Sequence, residues 1–313
     1  MNEYTTGLLS RTIAGPATSY IALSEQELIT GAEITGSNAG DIYHNTLSLT
    51  RFAPVGTFAA GSVGAILDLI GLNGRCVGSA HTILAAALIA RKIGTCDAPL
   101  GGTPHMQHAC SKGLLTLDSL TASRDEDAVV RGTLWMLSTD GSASPVAITD
   151  GVAWPSTIIE DRYRLGLCKI AGVQFPQVEE ISLSFNVEVL PPNSQLGSIF
   201  TTDAGVLAVT PELTLRGRDL SRVKTSLIEL GGNAATHANT VLQFIKIADG
   251  ASFETFASSV HTTLTIGGLV VPQILQSGSA GSRSTNSITL RGKRISGAAP
   301  VAINVAAPYS VNP

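Results

Sequence analysis

Ile181, Leu183, Phe185, Val187 and Val189 alternate with Ser182, Ser184, Asn186 and Glu188, and Pro191-Pro192 closes the run. Period two sustained this long marks a strand with one face in a core and the other in water. The same half of the chain predicts further strands over 212–218, 240–248, 262–271 and 287–295. Asp249-Gly250 supplies a turn there, and Gly267-Gly268 a bulge or bend. Leu213-Thr214-Leu215-Arg216-Gly217 recurs as Ile288-Thr289-Leu290-Arg291-Gly292. Adjacency of two strands in one sheet accounts for such an echo, and so does coincidence in a chain rich in Thr and Leu.

The first half is patterned less sharply. Residues 46–52 alternate, 113–123 alternate more weakly, and 128–138 are strand-like around Trp135. The last two segments pair across Arg124-Asp125-Glu126-Asp127, a charged hairpin tip, and Asp140-Gly141 turns the chain into a strand at 145–149. One segment predicts a good helix, with Ser79 as N-cap, Ala80 to Ile93 as body and Gly94 as the stop. Shorter helices are expected at 62–70 and 222–230. Pro155 and the charge cluster at 161–164 interrupt the strands, so the chain divides within 151–171. The expected organisation is a β-rich domain with a flanking helix (79–94) over 1–160, then an antiparallel β-domain over 161–313.

Composition narrows the surface. Only 14% of the 313 residues are charged, against about 25% in a typical soluble domain. Aromatics make up 5%, and Gly, Ala, Ser and Thr fill the difference. Such an exterior suits a protein covered by copies of itself, and it also suits a secreted β-protein. Net charge is −4, with no clustered basic excess to mark a nucleic-acid-binding face. Residues 1–70 hold six acids (Glu3, Glu25, Glu27, Glu33, Asp41, Asp68) against Arg11 and Arg51; residues 281–313 hold Arg283, Arg291, Lys293 and Arg294 and no acid. Opposite-signed ends attract in a head-to-tail assembly, although ordinary surface variation yields the same asymmetry. Met1 to Thr6 carry no basic or apolar export signature, and the apolar run 83–90 is too short for a span and is closed by Arg91 and Lys92. Cys76, Cys96, Cys110 and Cys168 are widely spaced without a CxxC. Reduced thiols and synthesis in a cytoplasm are expected.

Candidate chemistry is sparse. His105, His108 and Cys110 have a spacing that begins a zinc site, with Cys96 the nearest fourth ligand. No second ligand pair follows, and Gly101-Gly102-Thr103-Pro104 reads as the start of a plain surface loop, so no metal is expected. His81, His237 and His261 read as lone polar residues. Glu179-Glu180 and the Asp125/Asp127 pair are the carboxylates available for acid–base work. Adjacent strand residues face opposite sides of a sheet, and the other pair lies on an exposed tip. The chain contains no GxSxG, HExxH, Walker or GxGxxG signature. The glycine-rich stretches 56–64 and 278–284 read as flexible loops. No catalytic residue, cofactor or enzymatic activity is expected.

An acid-free basic final strand, the strand at 181–189, a helix flanking a sheet and low charge together resemble the tail tube proteins of long-tailed bacteriophages. The segment 114–140, with strand, charged tip, strand and Asp-Gly turn, is similar to that family's long hairpins. The resemblance implies a mainly β subunit with a few short helices, an antiparallel β-sandwich or barrel of phage tail-tube type. It also implies hexameric rings stacked into a virion tail tube through which viral DNA passes without specific binding. The length implies one such domain with an insertion, or two in tandem, in which case three copies close a ring as in hub proteins. Further implied partners are the tape measure and the tail terminator, with no membrane. Stacking needs heterologous faces, neighbouring copies would cover edge strands, and acidic or hydroxyl-rich walls repel phosphate. A distal tail, hub, decoration or head-completion protein is the first alternative. A secreted-type β carbohydrate-binding module or hydrolase is the second.

Overall fold

The fold is mainly antiparallel β-sheet in the computed structural model, which describes residues 4–12, 18–29, 34–36, 47–49, 54–69, 84–93, 100, 102, 104–170, 173–175, 177–189, 200–217, 240–248, 252–267, 269–277, 285–292 and 301–307. The first strands are β1 (Tyr4–Thr12), β2 (Thr18–Ala22), β3 (Glu25–Ile29), β4 (Ile34–Gly36), β5 (Leu47–Leu49), β6 (Val55–Ala60) and β7 (Leu84–Lys92). Then come β8 (His105–Ser123), β9 (Val129–Leu137), β10 (Ala147–Val152), β11 (Arg162–Ile170), β12 (Val173–Gln174), β13 (Val178–Ser184) and β14 (Val187–Val189). The last are β15 (Val206–Val209), β16 (Glu212–Gly217), β17 (Thr240–Ile247), β18 (His261–Ile266), β19 (Leu269–Ser277), β20 (Thr285–Gly292) and β21 (Val301–Ala307). A short helix, α1 (Val63–Leu69), follows β6.

The 19-residue β8 organises a twelve-stranded sheet. Its first half lies between β7 and β10, and its second half between β9 and β13. From β7 the sheet continues to β1 and β2, from β9 to β6 and β3, and from β13 to β16, β20 and β19. A second sheet runs β12-β11-β17-β18-β21, and β14–β15 and β4–β5 form two-stranded ribbons. One core joins the sheets: Leu115, Leu117, Ile181, Leu213 and Leu290 of the larger meet Tyr163, Leu165, Phe244 and Leu264 of the smaller, with Ile66 and Leu67 of α1 beside them. The arrangement is consistent with a β-sandwich. Strands from both sides of residue 160 share the larger sheet.

Register shifts explain how β8 stays in the core along its length. Leu84 pairs with Gly113 but Ala86 with Cys110, and Leu117 pairs with Gly132 but Ser119 with Arg131. Each shift inserts an extra residue and changes the phase of the alternation. Cys110 faces the core before the first shift, Leu115 and Leu117 after it, and Leu120 and Ala122 after the second. On the outer side Leu114, Trp135 and Leu137 pack beneath Val189 and Val206 of the β14–β15 ribbon.

Several elements differ from expectation. The segment expected as a helix over 79–94 is the strand β7 where it is described; Ser79 and Gly94 lie outside the described residues. Ala86, Ala87, Leu88, Ile89 and Ala90 are all buried between β1 and β8. A strand buried on both faces shows a continuous apolar run that periodicity does not separate from a helix, and lateral pairing overrides the helix propensity of alanine. The 62–70 helix is present as α1, whereas 222–230 lies outside the described residues. The 181–189 strand divides after Ser184, because Asn186 takes a positive φ of 44° and its Nδ2 donates to the Thr210 carbonyl at 3.0 Å. Asn tolerates that conformation better than most residues. Residues 262–271 divide between sheets at Gly267, and the final described strand, β21, carries no charge. The repeated pentapeptides are neighbours: Leu213, Thr214 and Leu215 stand opposite Leu290, Thr289 and Ile288.

Close approach fixes one glycine. Gly7 lies in the irregularity of the β1–β7 pairing, where a Cβ would fall on the Ile89 carbonyl. The charged tip also holds the sheets together: Asp127 receives the Arg162 Nε at 2.5 Å and the Arg164 Nε at 3.5 Å, and the Ala128 N–H donates to the Tyr163 carbonyl at 2.7 Å. Arg124, Asp125 and Glu126 are exposed.

Phe185, fully buried just past the end of β13, tests this core. Phe185→Asp should abolish the cooperative unfolding transition, because losing a core aromatic costs about 3–5 kcal/mol and burying an unpaired carboxylate several more. A soluble variant with an unchanged melting curve would remove this residue from the core.

Candidate functional site

Beyond the ribbon, the outer face of β3, β6, β9 and β8 turns from apolar to polar. Glu25 and Glu27 stand opposite Ala59 and Thr57, which stand opposite Arg131 and Thr133. Glu25, Glu27, Thr57 and Arg131 border an open cleft of about 530 Å³ that reaches Asp118 and Ser119. Alternation on four paired strands places them on one face. Asp118 is the extra residue of the second β8 register shift, and its backbone carbonyl accepts the Phe185 N–H at 3.0 Å.

Two pairings set the electrostatics of the cleft. Arg131 grips Glu25 with both terminal nitrogens, Nη2 to Oε1 at 3.0 Å and Nη1 to Oε2. That hydrogen bond, opposed by partial desolvation, holds the Glu25 carboxyl below the ordinary range. The Thr133 hydroxyl donates to Asp118 Oδ2 at 2.6 Å. Asp118 is exposed as a whole residue, yet its surroundings remove enough water from the carboxyl to raise its pKa, with the Thr133 hydrogen bond acting against the shift. Three acids against one arginine leave the cleft net negative. It can take hydroxyl-bearing or cationic groups and disfavours phosphate.

The candidates from the sequence are dispersed. His105, His108 and Cys110 lie on β8 and not in a surface loop, because this stretch pairs with both β7 and β10. Alternation turns His105 to one face and His108 and Cys110 to the other. Cys96 lies outside the described residues, as do Cys76, His81 and His237. Among the described residues no group of three His, Cys, Asp or Glu side chains converges to hold a metal. Burial raises the Cys110 thiol and pushes Cys168 up to about 12, which leaves both poor nucleophiles. Glu180 pairs with Arg216 at 3.3 Å on the surface, and the Glu179 carbonyl accepts the Arg124 N–H. His261 is buried and hydrogen-bonded through both ring nitrogens.

Sequence reasoning missed the cleft. Its one signal is Asp118, an acid directly after the apolar run Leu114-Leu115-Thr116-Leu117, where an interrupted alternation marks a bulge. Glu25 and Arg131 are too far apart in the chain for any local pattern to link them. A scan against protein-family models matches none, and a search of the curated proteins finds no relative.

The raised pKa of Asp118 gives a signed expectation. The folded chain holds this proton more tightly than the unfolded chain, so Asp118 opposes folding once ionised; its penalty is absent in acid and complete above the folded pKa. Asp118→Asn keeps an acceptor for Thr133 and should raise the denaturation midpoint at neutral pH. That gain should vanish as pH falls through the carboxylate range. A midpoint difference independent of pH would contradict the desolvated carboxyl.

Proposed function

We propose that this chain is a virion structural protein, a tail tube subunit of a long-tailed phage that self-associates into stacked rings around a DNA conduit. The observation that carries the reading is β10. Among the described residues this strand pairs only with β8, five of its six residues are exposed, and Ile148 is 62% exposed. A free edge carrying an exposed apolar side chain invites another chain, and a neighbouring copy in a ring would cover it. The charge content of 14% supports the same reading, since a surface enclosed by copies of itself needs little charge.

The acidic cleft face supports a conduit wall, because Glu25, Glu27 and Asp118 repel phosphate and offer no counterion-release affinity. Rings of six copies, or of three with two tube-like domains each, would stack through unlike faces. The acidic N-terminal region and the basic segment around Arg291 remain the proposed axial pair. Arg291 already pairs with Glu212 of its own chain, Nε to Oε2 at 2.8 Å. Lys293 and Arg294 lie outside the described residues. Tape measure and tail terminator would be its neighbours, and the virion tail its location.

One observation favours a second reading. Glu25 is held low and Asp118 high within the same cleft, and carboxylates pushed apart in this way suit an acid and a base. A carbohydrate-binding module or hydrolase would use that cleft.

Negative-stain imaging and sizing of the purified chain should show rings or tubes burying about 2,000–5,000 Å² per contact. Ile148→Asp should return them to monomers without changing the melting curve. A monomer at high concentration, with Ile148→Asp behaving as the parent, would sink the tube reading. In the second reading the chain hydrolyses chromogenic glycosides and Asp118→Asn abolishes turnover; no turnover in the parent chain removes the hydrolase.

A further inference from the structure

Two hairpins of this fold are closed by the same device. In the first, the Lys92 N–H at the end of β7 donates to Nδ1 of His105 at the start of β8, at 3.1 Å. In the second, the Lys246 N–H near the end of β17 donates to Nδ1 of His261 at the start of β18, also at 3.1 Å. An imidazole that accepts at Nδ1 and is neutral carries its proton on Nε2, which becomes a donor. In the second hairpin that donor is satisfied: His261 Nε2 lies 3.1 Å from the Thr255 carbonyl. In the first it is not: His105 is 0% exposed, and among the described residues its Nε2 has no hydrogen-bond partner.

The surroundings of the open donor are specific. The Trp154 ring lies 5.0 Å from the His105 ring, and the Arg91 guanidinium sits over the same indole at 4.6 Å. Arg91 Nε is also buried, without a partner among the described residues. Burial and the Arg91 charge both lower the His105 pKa, which favours the neutral ring, and the Lys92 N–H on Nδ1 leaves the proton of that ring on Nε2. Asp150, across on β10, acts on His108. Two N–H donors, one of them on a cation, thus border one indole and lack acceptors. A buried donor left unsatisfied costs about 1–3 kcal/mol, and such donors are rare in folded proteins.

We infer that Arg91, His105 and Trp154 form a binding site for an anionic oxygen, a carboxylate or phosphate oxygen received by His105 Nε2–H and the Arg91 guanidinium. His261 shows the acceptor that the device calls for, and the Arg91 charge selects an anion over a neutral carbonyl. The site lies apart from the acidic cleft and does not depend on the tail reading.

Titration of the full chain with sodium acetate or sodium phosphate, at ionic strength fixed with chloride, tests the site through tryptophan fluorescence. A saturable change is expected. It should be absent in Trp154→Phe, unchanged in Arg216→Gln, and weakened about tenfold or more in Arg91→Gln, as befits the loss of a charge-assisted hydrogen bond. Saturation by both anions defines a general oxyanion site, and saturation by one alone assigns it to carboxylate or to phosphate. Histidine-selective nitrogen NMR of the parent chain gives a reading that needs no variant: the His105 Nε2 signal should move with anion while His261 stays still. A stationary His105 signal, a non-saturating response to both anions, or full binding by a folded Arg91→Gln would overturn the inference.

Discussion

The demand that every buried N–H and C=O find a partner falls most heavily on β8. At 19 residues it spans about 60 Å, far beyond the usual strand of about five or six residues, and no single neighbour covers it. Four strands complete its two edges, β7 and β13 along one and β10 and β9 along the other. The core, the ribbon and the cleft take their positions from that pairing. Because the two register shifts rotate the face presented inward, one strand serves an apolar interior, a covered outer patch and a polar cleft in turn. Asp118 is at once the residue that makes the second shift and the acid that the cleft displays.

Legibility in the sequence followed the same physics. Regions with one wet face were readable: the alternation of β13 and the pairing of β8 with β9 across Arg124 to Asp127. The echo between β16 and β20 left adjacency and coincidence open, and the register decides for adjacency. α1 was legible through its local pattern. β7 was not, since a strand with both faces dry carries no period and its alanines favour the wrong element. The start of β8 was hidden because His105, Gln107 and His108 look like loop residues, although strands on both sides enclose them. The cleft was illegible because its ion pair joins Glu25 to Arg131 across most of the first half of the chain. Neither histidine lock could be read from spacing, since each depends on a ring meeting a backbone amide of the preceding strand.

Three polar devices on this molecule have different characters. The Asp127 clamp is internally complete, with Arg162 and Arg164 answering one carboxylate. The cleft pairs, Glu25–Arg131 and Asp118–Thr133, are also complete but lie open to solvent. The His105 lock is complete on its backbone side and unanswered on the other. The tail reading draws on a separate feature, the edge of β10 that no described strand covers, so surface self-association and anion capture can be separated by experiment.

The order in which the strands fill the two sheets carries a consequence for how the molecule is made. The chain passes from the larger sheet to the smaller between β10 and β11, returns between β12 and β13, and crosses again between β16 and β17, β18 and β19, and β20 and β21. Neither sheet is therefore a contiguous stretch of polypeptide. During synthesis β18 must wait for Val301–Ala307 before its far edge is closed. The smaller sheet stays unfinished until β21 emerges, and such long-separation pairing folds slowly. In a fold woven this way, neither sheet can close before strands of the other have been made.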